Sequence, residues 1–349
     1  MTCTDRSGIT SNMTFYTPPL KTNSEKKPRR VGFELEFTDA DIKTCSELIA
    51  DLFGGKVRYE NALEAEVIET PMGKFKVELD AQILKKLAAR LEQEKLAQDV
   101  GIVDMERLQT EVSSWIGQAA GQVVPYEIVT PPLTFDQLPK LETLRQKLQE
   151  RNAKGSKAGF FNAFGMHINP EAASEEVDYI RDILCAFLVL YPWLKKVMKI
   201  DLSRRMLTYI DPFPEAYVRL LLAENYSPSL EDFILDYLKH SPTRNRALDL
   251  LPLFDHLKPD LLDGLEEGQR KLVKGRPAFH YRLPNCEIDD PDWRISRDWN
   301  YWVEVEKLAY NSEKLRSMCV EYLEFQNDEL RIFETDWALR VAELMDFEP

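Results

Sequence analysis

Hydrophobic positions alternate with period two over residues 31–37. Val31, Phe33, Leu35 and Phe37 fall on one side of an extended chain, and Gly32, Glu34 and Glu36 on the other. The pattern predicts a strand with a core face and a second face carrying two carboxylates about 7 Å apart. Gly32 lets a ligand approach the backbone on that second face. Residues 74–80 alternate in the same way, with Phe75, Val77 and Leu79 inward and Asp80 at the end. Further strands are expected over residues 57–59, 65–69, 121–130, 160–169 and 277–283.

Between these runs the period changes to that of helices. Ile42, Cys45, Leu48, Ile49 and Leu52 form a stripe behind Thr38 as the expected N-cap, and Gly54-Gly55 ends it. Residues 82–119 read as a helical hairpin inserted between two strands, broken at Gly101. Leu138, Leu141, Leu144 and Leu148 mark another helix. A long apolar helix is expected over 174–199, kinked or divided at Pro192. Ser229 is placed to cap a helix over 229–240, and residues 244–257 fit either a helix or a buried strand. From about residue 298 the chain reads as helical, with a break at Asn311-Ser312. Strands interspersed with helices, without regular βαβ units, predict an α+β fold: a largely antiparallel sheet with the site on one face and helices on the other. Residues 1–29, rich in Ser, Thr, Lys and Pro, are expected to be a mobile tail before a single domain over 30–349. The basic run at 26–30 is expected to be solvated.

Charge narrows the choice of function. The 349 residues carry 59 acidic and 45 basic side chains, a formal net charge of -14. That argues against a nucleic-acid or anionic-membrane surface, but not against a nucleotide that arrives with magnesium. Cys3, Cys45, Cys185, Cys286 and Cys319 are odd in number and lack CxxC spacing. They are expected to be reduced thiols in a cytoplasmic protein, without a thiolate zinc site. No signal-peptide pattern opens the chain, and the most apolar run, 183–194, is too short to span a bilayer. Gly73-Lys74 lacks the glycine spacing of a P-loop.

Candidate chemistry starts from Glu34 and Glu36. Two like charges side by side raise each other's pKa unless a cation lies between them, and hard oxygen ligands suit a divalent metal. Glu127 lies in a strand apolar on both faces, where an ionised carboxylate needs a partner. His167 lies in Gly165-Met166-His167-Ile168-Asn169, and Arg244 and Arg246 precede Ala247-Leu248-Asp249-Leu250. His280 and Arg282 share one face of residues 278–285. Taken singly, each has an ordinary structural role: a satisfied semi-buried histidine, an ion pair, an interface arginine, or a strand-end turn at Asp80.

Together these elements resemble the amidoligase branch of the carboxylate–amine ligases, the superfamily of glutamine synthetase and glutamate–cysteine ligase. Glu34-Leu35-Glu36 looks like the family's first-strand Glu-x-Glu. Glu127 in Tyr-Glu-Ile-Val-Thr-Pro-Pro-Leu resembles its Glu-hydrophobic-Val-Thr/Ser-Pro-Pro-Leu strand. Gly165-Met166-His167 is similar to the synthetase Gly-Met-His strand. Arg244 with Ala247-Leu248-Asp249-Leu250 loosely resembles an Arg ahead of Ala-Leu-Asn-Leu. His280-Tyr281-Arg282 falls where the family has Glu-Phe-Arg or Glu-Val-Arg. The resemblance runs from about residue 30 to 310. It implies a glutamine-synthetase-like catalytic domain using ATP and Mg2+ or Mn2+. The implied metal ligands are Glu34, Glu36, Glu127, His167 and His280. Arg282 and Arg244, with Asn169, would meet the nucleotide and its transferred phosphoryl group. The substrates would be a carboxylate and an amine, peptide-like or amino-acid-like, with neither nucleic acid nor membrane as partner. His280 replaces an expected metal-binding Glu, and Asp249 an expected Asn. These departures motivate an alternative, a non-catalytic relative acting as a binding or scaffold subunit. A metal-dependent hydrolase using the same residues finds no support in any HExxH motif.

Overall fold

The alternation of residues 31–37 builds the middle of a sheet. In the computed structural model, which describes residues 14–61, 63–79, 126–155, 164–200, 210–327 and 334–347, β1 (Arg30–Phe37) buries Val31, Phe33, Leu35 and Phe37 completely. The other strands are β2 (Lys56–Asn61), β3 (Glu64–Thr70), β4 (Gly73–Leu79), β5 (Tyr126–Val129), β6 (Leu133–Thr134), β7 (Met166–Pro170), β8 (Leu248–Asp249) and β9 (His280–Tyr281). They form one sheet in the order β2-β3-β4-β5-β1-β7-β9-β8, with β6 paired to the start of β1. Every pairing between these strands is antiparallel. The protein is therefore α+β, as the sequence pattern predicts. Residues 82–119 and Asp80 lie outside the described residues, as do residues 1–13.

Register follows from burial. Leu35 lies opposite Ile128 and Met166, and Val77 opposite Ile128 and Ala65. Ile168 lies opposite Phe33 and Tyr281, and Tyr281 opposite Leu248. Burying one such side chain stabilises by roughly 1.5–3 kcal/mol, more than the ~1 kcal/mol span of strand propensities. A one-residue slip would turn this whole face to water, so the buried face decides the register.

Helices pack on the apolar face and on one another. These are α1 (Ile42–Phe53), α2 (Pro139–Glu150), α3 (Val177–Val197), α4 (Glu215–Leu222), α5 (Leu230–His240), α6 (Leu251–Leu257), α7 (Glu267–Arg270), α8 (Ile295–Tyr310), α9 (Ser312–Asn327) and α10 (Glu334–Leu344). Phe53 of α1 stacks on Phe75 at 5.4 Å, and Trp302 of α8 packs on Tyr281 at 5.2 Å. Asp41, not Thr38, caps α1, accepting the Thr44 amide at 2.7 Å. Thr38 instead bridges to Lys154 through two backbone hydrogen bonds. Gly54 and Gly55 end α1 at φ 75° and 102°, and a Cβ at Gly55 would meet the Ile68 carbonyl at 2.5 Å. Ser229 caps α5 as expected. Residues 244–257 resolve into both alternatives, β8 and then α6. Helix α3 runs through Pro192 as one helix, so of the two expected outcomes, a kink or a division, the division does not occur. The ring removes one hydrogen bond, and α8, α9 and α10 pack against the helix. The expected break at Asn311 separates α8 from α9. No helix among the described residues is long and apolar enough to cross a membrane.

The expected mobile tail differs in its second half. Residues 14–29 are tied to α8 at both ends, through Thr14 and Tyr16 and through Arg29. Asn300 Nδ2 donates to the Thr14 carbonyl at 2.9 Å, and the Trp299 indole to the Tyr16 carbonyl at 2.7 Å. Arg29, in the supposedly solvated basic run, is buried against Glu306 with two hydrogen bonds of 2.7 and 2.8 Å. Burial opposes its charge, but the Glu306 carboxylate outweighs that and raises its pKa. Period-two reading missed this strap because its anchors are backbone groups and one long-range ion pair.

Candidate active site

Opposite the core face, the even positions of β1 stand at the centre of a polar surface. One row across the strands joins Glu64, Glu78, Glu127 and Glu36 as direct cross-strand partners. The next joins Glu66, Lys76, Val129, Glu34 and His167. A third sets Gly32 beside Asn169, and His280 beside Asp249. Carboxylates directly opposite one another destabilise a sheet unless cations answer them. Lys76 does so at one end, with its ammonium 2.6 Å from Glu78 and 3.1 Å from Glu64.

Around Glu34 the hydrogen bonds are dense. Its Oε2 lies 2.8 Å from His167 Nδ1, and its Oε1 accepts from Asn169 Nδ2 at 2.8 Å. Asn169 is thereby oriented: its amide nitrogen faces the carboxylate, so its Oδ1 faces His280 Nδ1 at 2.6 Å. Arg276 reaches the same corner, 3.5 Å from Glu34 Oε1 and 3.0 Å from His280 Nδ1. Glu36 accepts the Gly165 amide on Oε2 at 2.6 Å, and its Oε1 lies 3.5 Å from His167 Nε2. The His167 and His280 rings meet edge-on at 5.1 Å.

Burial shapes the protonation states. It opposes the Glu34 charge, but His280, the hydrogen bond with His167 and the Arg276 guanidinium hold this carboxyl well below the usual range. Burial also pushes His280 well below the ordinary histidine value. Glu34 pulls it the other way, and Arg276 adds to the depression.

Two groups have the spacing of a metal site. Glu34, His167 and His280 each offer a ligand atom within 4.8 Å of the others, and so do Glu36, Glu127 and His167. Carboxylate oxygens with one or two imidazoles suit magnesium or manganese. The five residues expected as metal ligands therefore converge, although Glu127 is half-buried rather than fully enclosed. A family model described as "putative amidoligase enzyme" matches residues 27–304. The chain belongs to this amidoligase family. No curated protein and no solved structure matches it significantly. The family assignment supports a ligase-type enzyme.

The two arginines of this amidoligase sit at the β8–β9 end of the sheet. Arg282 is buried, and its Nη1 donates to the Arg244 carbonyl at 2.5 Å. Burial depresses its pKa, against the pull of Asp249. Arg244 donates from Nε to Asp249 at 2.9 Å and from Nη1 to the Leu272 carbonyl at 2.8 Å. These bonds commit much of its guanidinium to structure and account for Asp249. That side chain is fully buried, answers Arg244 and accepts the Leu251 amide, where α6 begins, at 3.0 Å.

Two residues of this face escaped the sequence reading. Glu78 shares the even positions of residues 74–80, but only register brings it opposite Glu127. Arg276 lies one residue before the strand expected at 277–283. Extending period two back by that one position would have put it with His280 and Arg282.

Proposed function

We propose that this amidoligase joins a carboxylate to an amine at the expense of ATP, through an acyl phosphate on a peptide-like or amino-acid-like substrate. The supporting observation is the convergence of Glu34, Glu36, Glu127 and His167 on one sheet face, with Arg282 at its end. A carboxylate is a poor electrophile. Moving the γ-phosphoryl group of ATP onto its oxygen releases ADP and makes the acyl carbon open to attack. The amine then forms the C–N bond, phosphate leaves and the amine loses a proton. Such transfer relies on positioning and charge stabilisation more than on a covalent enzyme intermediate. Bound magnesium or manganese would supply positive charge against the phosphate oxygens.

The chain's own residues have distinct parts in this reading. Glu36, Glu127 and His167 bind the divalent ion. Glu34 and Asn169 orient the two histidines. Arg282, a rigid fork held by the Arg244 carbonyl, faces the transferred phosphoryl group, with Arg244, more exposed but tied to Asp249, as a second cation. ADP release should be followed with ATP and magnesium or manganese across amino acids, short peptides and polyamines. At least one acid–amine pair should give ADP above the level of a Glu36→Gln/Glu127→Gln variant.

A second reading draws on His280 beside Arg276 where the family carries a metal-binding carboxylate. It makes the chain a non-catalytic binding subunit. Metal–nucleotide binding with no ADP from any pair would favour it.

A further inference from the structure

The two halves of the polar face differ in whether a cationic side chain already lies against them. At the first, Glu34 Oε1 takes the Asn169 amide and Arg276, and Glu34 Oε2 takes His167 Nδ1. His280 Nδ1 is held between Asn169 Oδ1 and Arg276 Nη2, and whichever partner it serves, that nitrogen is committed. The Arg276 guanidinium lies against both Glu34 Oε1 and His280 Nδ1, at 3.5 and 3.0 Å, so an ion using those two atoms would have to displace it. At the second half, His167 presents Nε2 toward Glu36, across from Glu127. A histidine that binds metal through one ring nitrogen characteristically donates the other N–H to a carboxylate, which fixes ring and tautomer. His167 Nδ1 against Glu34 at 2.8 Å has that arrangement.

We infer that this chain holds one divalent ion on its own side chains, at Glu36, Glu127 and His167 Nε2, and that Arg276 is the built-in cation of the adjoining corner. Glu34 is then a positioning residue, the carboxylate behind His167, and His280 is not a ligand. The corner sets one negative side chain, Glu34, against one positive side chain, Arg276. The inference rests on the metal-dependent reading above and goes beyond it in ion number and ligand identity.

Manganese alone, added to the full chain without nucleotide, tests it. Electron paramagnetic resonance should count one tightly bound ion per chain, with pulsed measurements detecting coupling to one imidazole nitrogen. Glu34→Gln should keep that ion and that coupling while weakening affinity about 10–100-fold, the usual cost of losing a carboxylate behind a metal-bound histidine. Glu36→Gln should abolish tight binding, and His280→Gln should leave the nitrogen coupling in place. Arg276→Met removes the resident charge and should raise the count to two. Two tight ions in the unmodified chain, or coupling lost in His280→Gln, would overturn the inference while leaving metal-dependent ligation standing. No bound manganese at all would overturn both.

Discussion

Glu36 and Glu127 face each other directly across β1 and β5 on the polar side of the sheet. Like charges at directly opposed positions cost a sheet stability, on the order of 0.2–1 kcal/mol for a pair. Such a pair is suited to holding a cation between its carboxylates.

Glu127→Gln should therefore leave the metal-free protein as stable as before, or up to ~1 kcal/mol more stable. The same substitution should weaken manganese binding at least tenfold. Chemical denaturation without metal, paired with titration calorimetry, checks both halves. A loss of several kcal/mol in the metal-free protein would instead identify Glu127 as half of a structural ion pair.

Arg29 and Glu306 present the opposite case. Both are buried, they share two hydrogen bonds, and they tie the N-terminal strap to α8. Glu306→Gln leaves a buried guanidinium without its counter-charge and should cost about 3–5 kcal/mol in urea unfolding. Arg29→Met with Glu306→Leu should recover much of that loss. A Glu306→Gln variant within 1 kcal/mol of the unmodified protein would show that water reaches the pair.

Arg282→Lys keeps the charge but removes the planar fork that matches a phosphate. Turnover should fall more than tenfold, roughly the 1.4 kcal/mol that one well-placed hydrogen bond to a charged group provides. A rate within a factor of two of the unmodified enzyme would remove Arg282 from the reaction.

Much of this architecture can be read from the chain, and the exceptions have physical causes. Residues 31–37 announce both the core face and the carboxylate face because period two is unambiguous when every odd position is apolar. The Glu34, Glu36, Glu127 and His167 grouping follows once those strands are antiparallel neighbours. Arg276 is not placed because it lies one position outside the strand expected at 277–283, and β9 itself spans only two residues. Asp249 looked like a departure from a family pattern, yet its burial against Arg244 gives it a structural task that sequence spacing does not reveal. The strap over residues 14–29 has no periodicity to read, because backbone carbonyls accept from Trp299 and Asn300. In α3 the packing of three helices overrides the breaking tendency of Pro192.

The most direct test of the central claim is independent of the unknown acid and amine. Binding of a non-hydrolysable ATP analogue with manganese should be measured by titration calorimetry for the unmodified chain and for Glu34→Gln/Glu36→Gln. The account predicts binding to the first and a loss of at least two orders of magnitude in the second, with the fold of both intact by circular dichroism. Equal binding by the two proteins, or none by the unmodified chain, would contradict the assignment of this sheet face as the metal–nucleotide site.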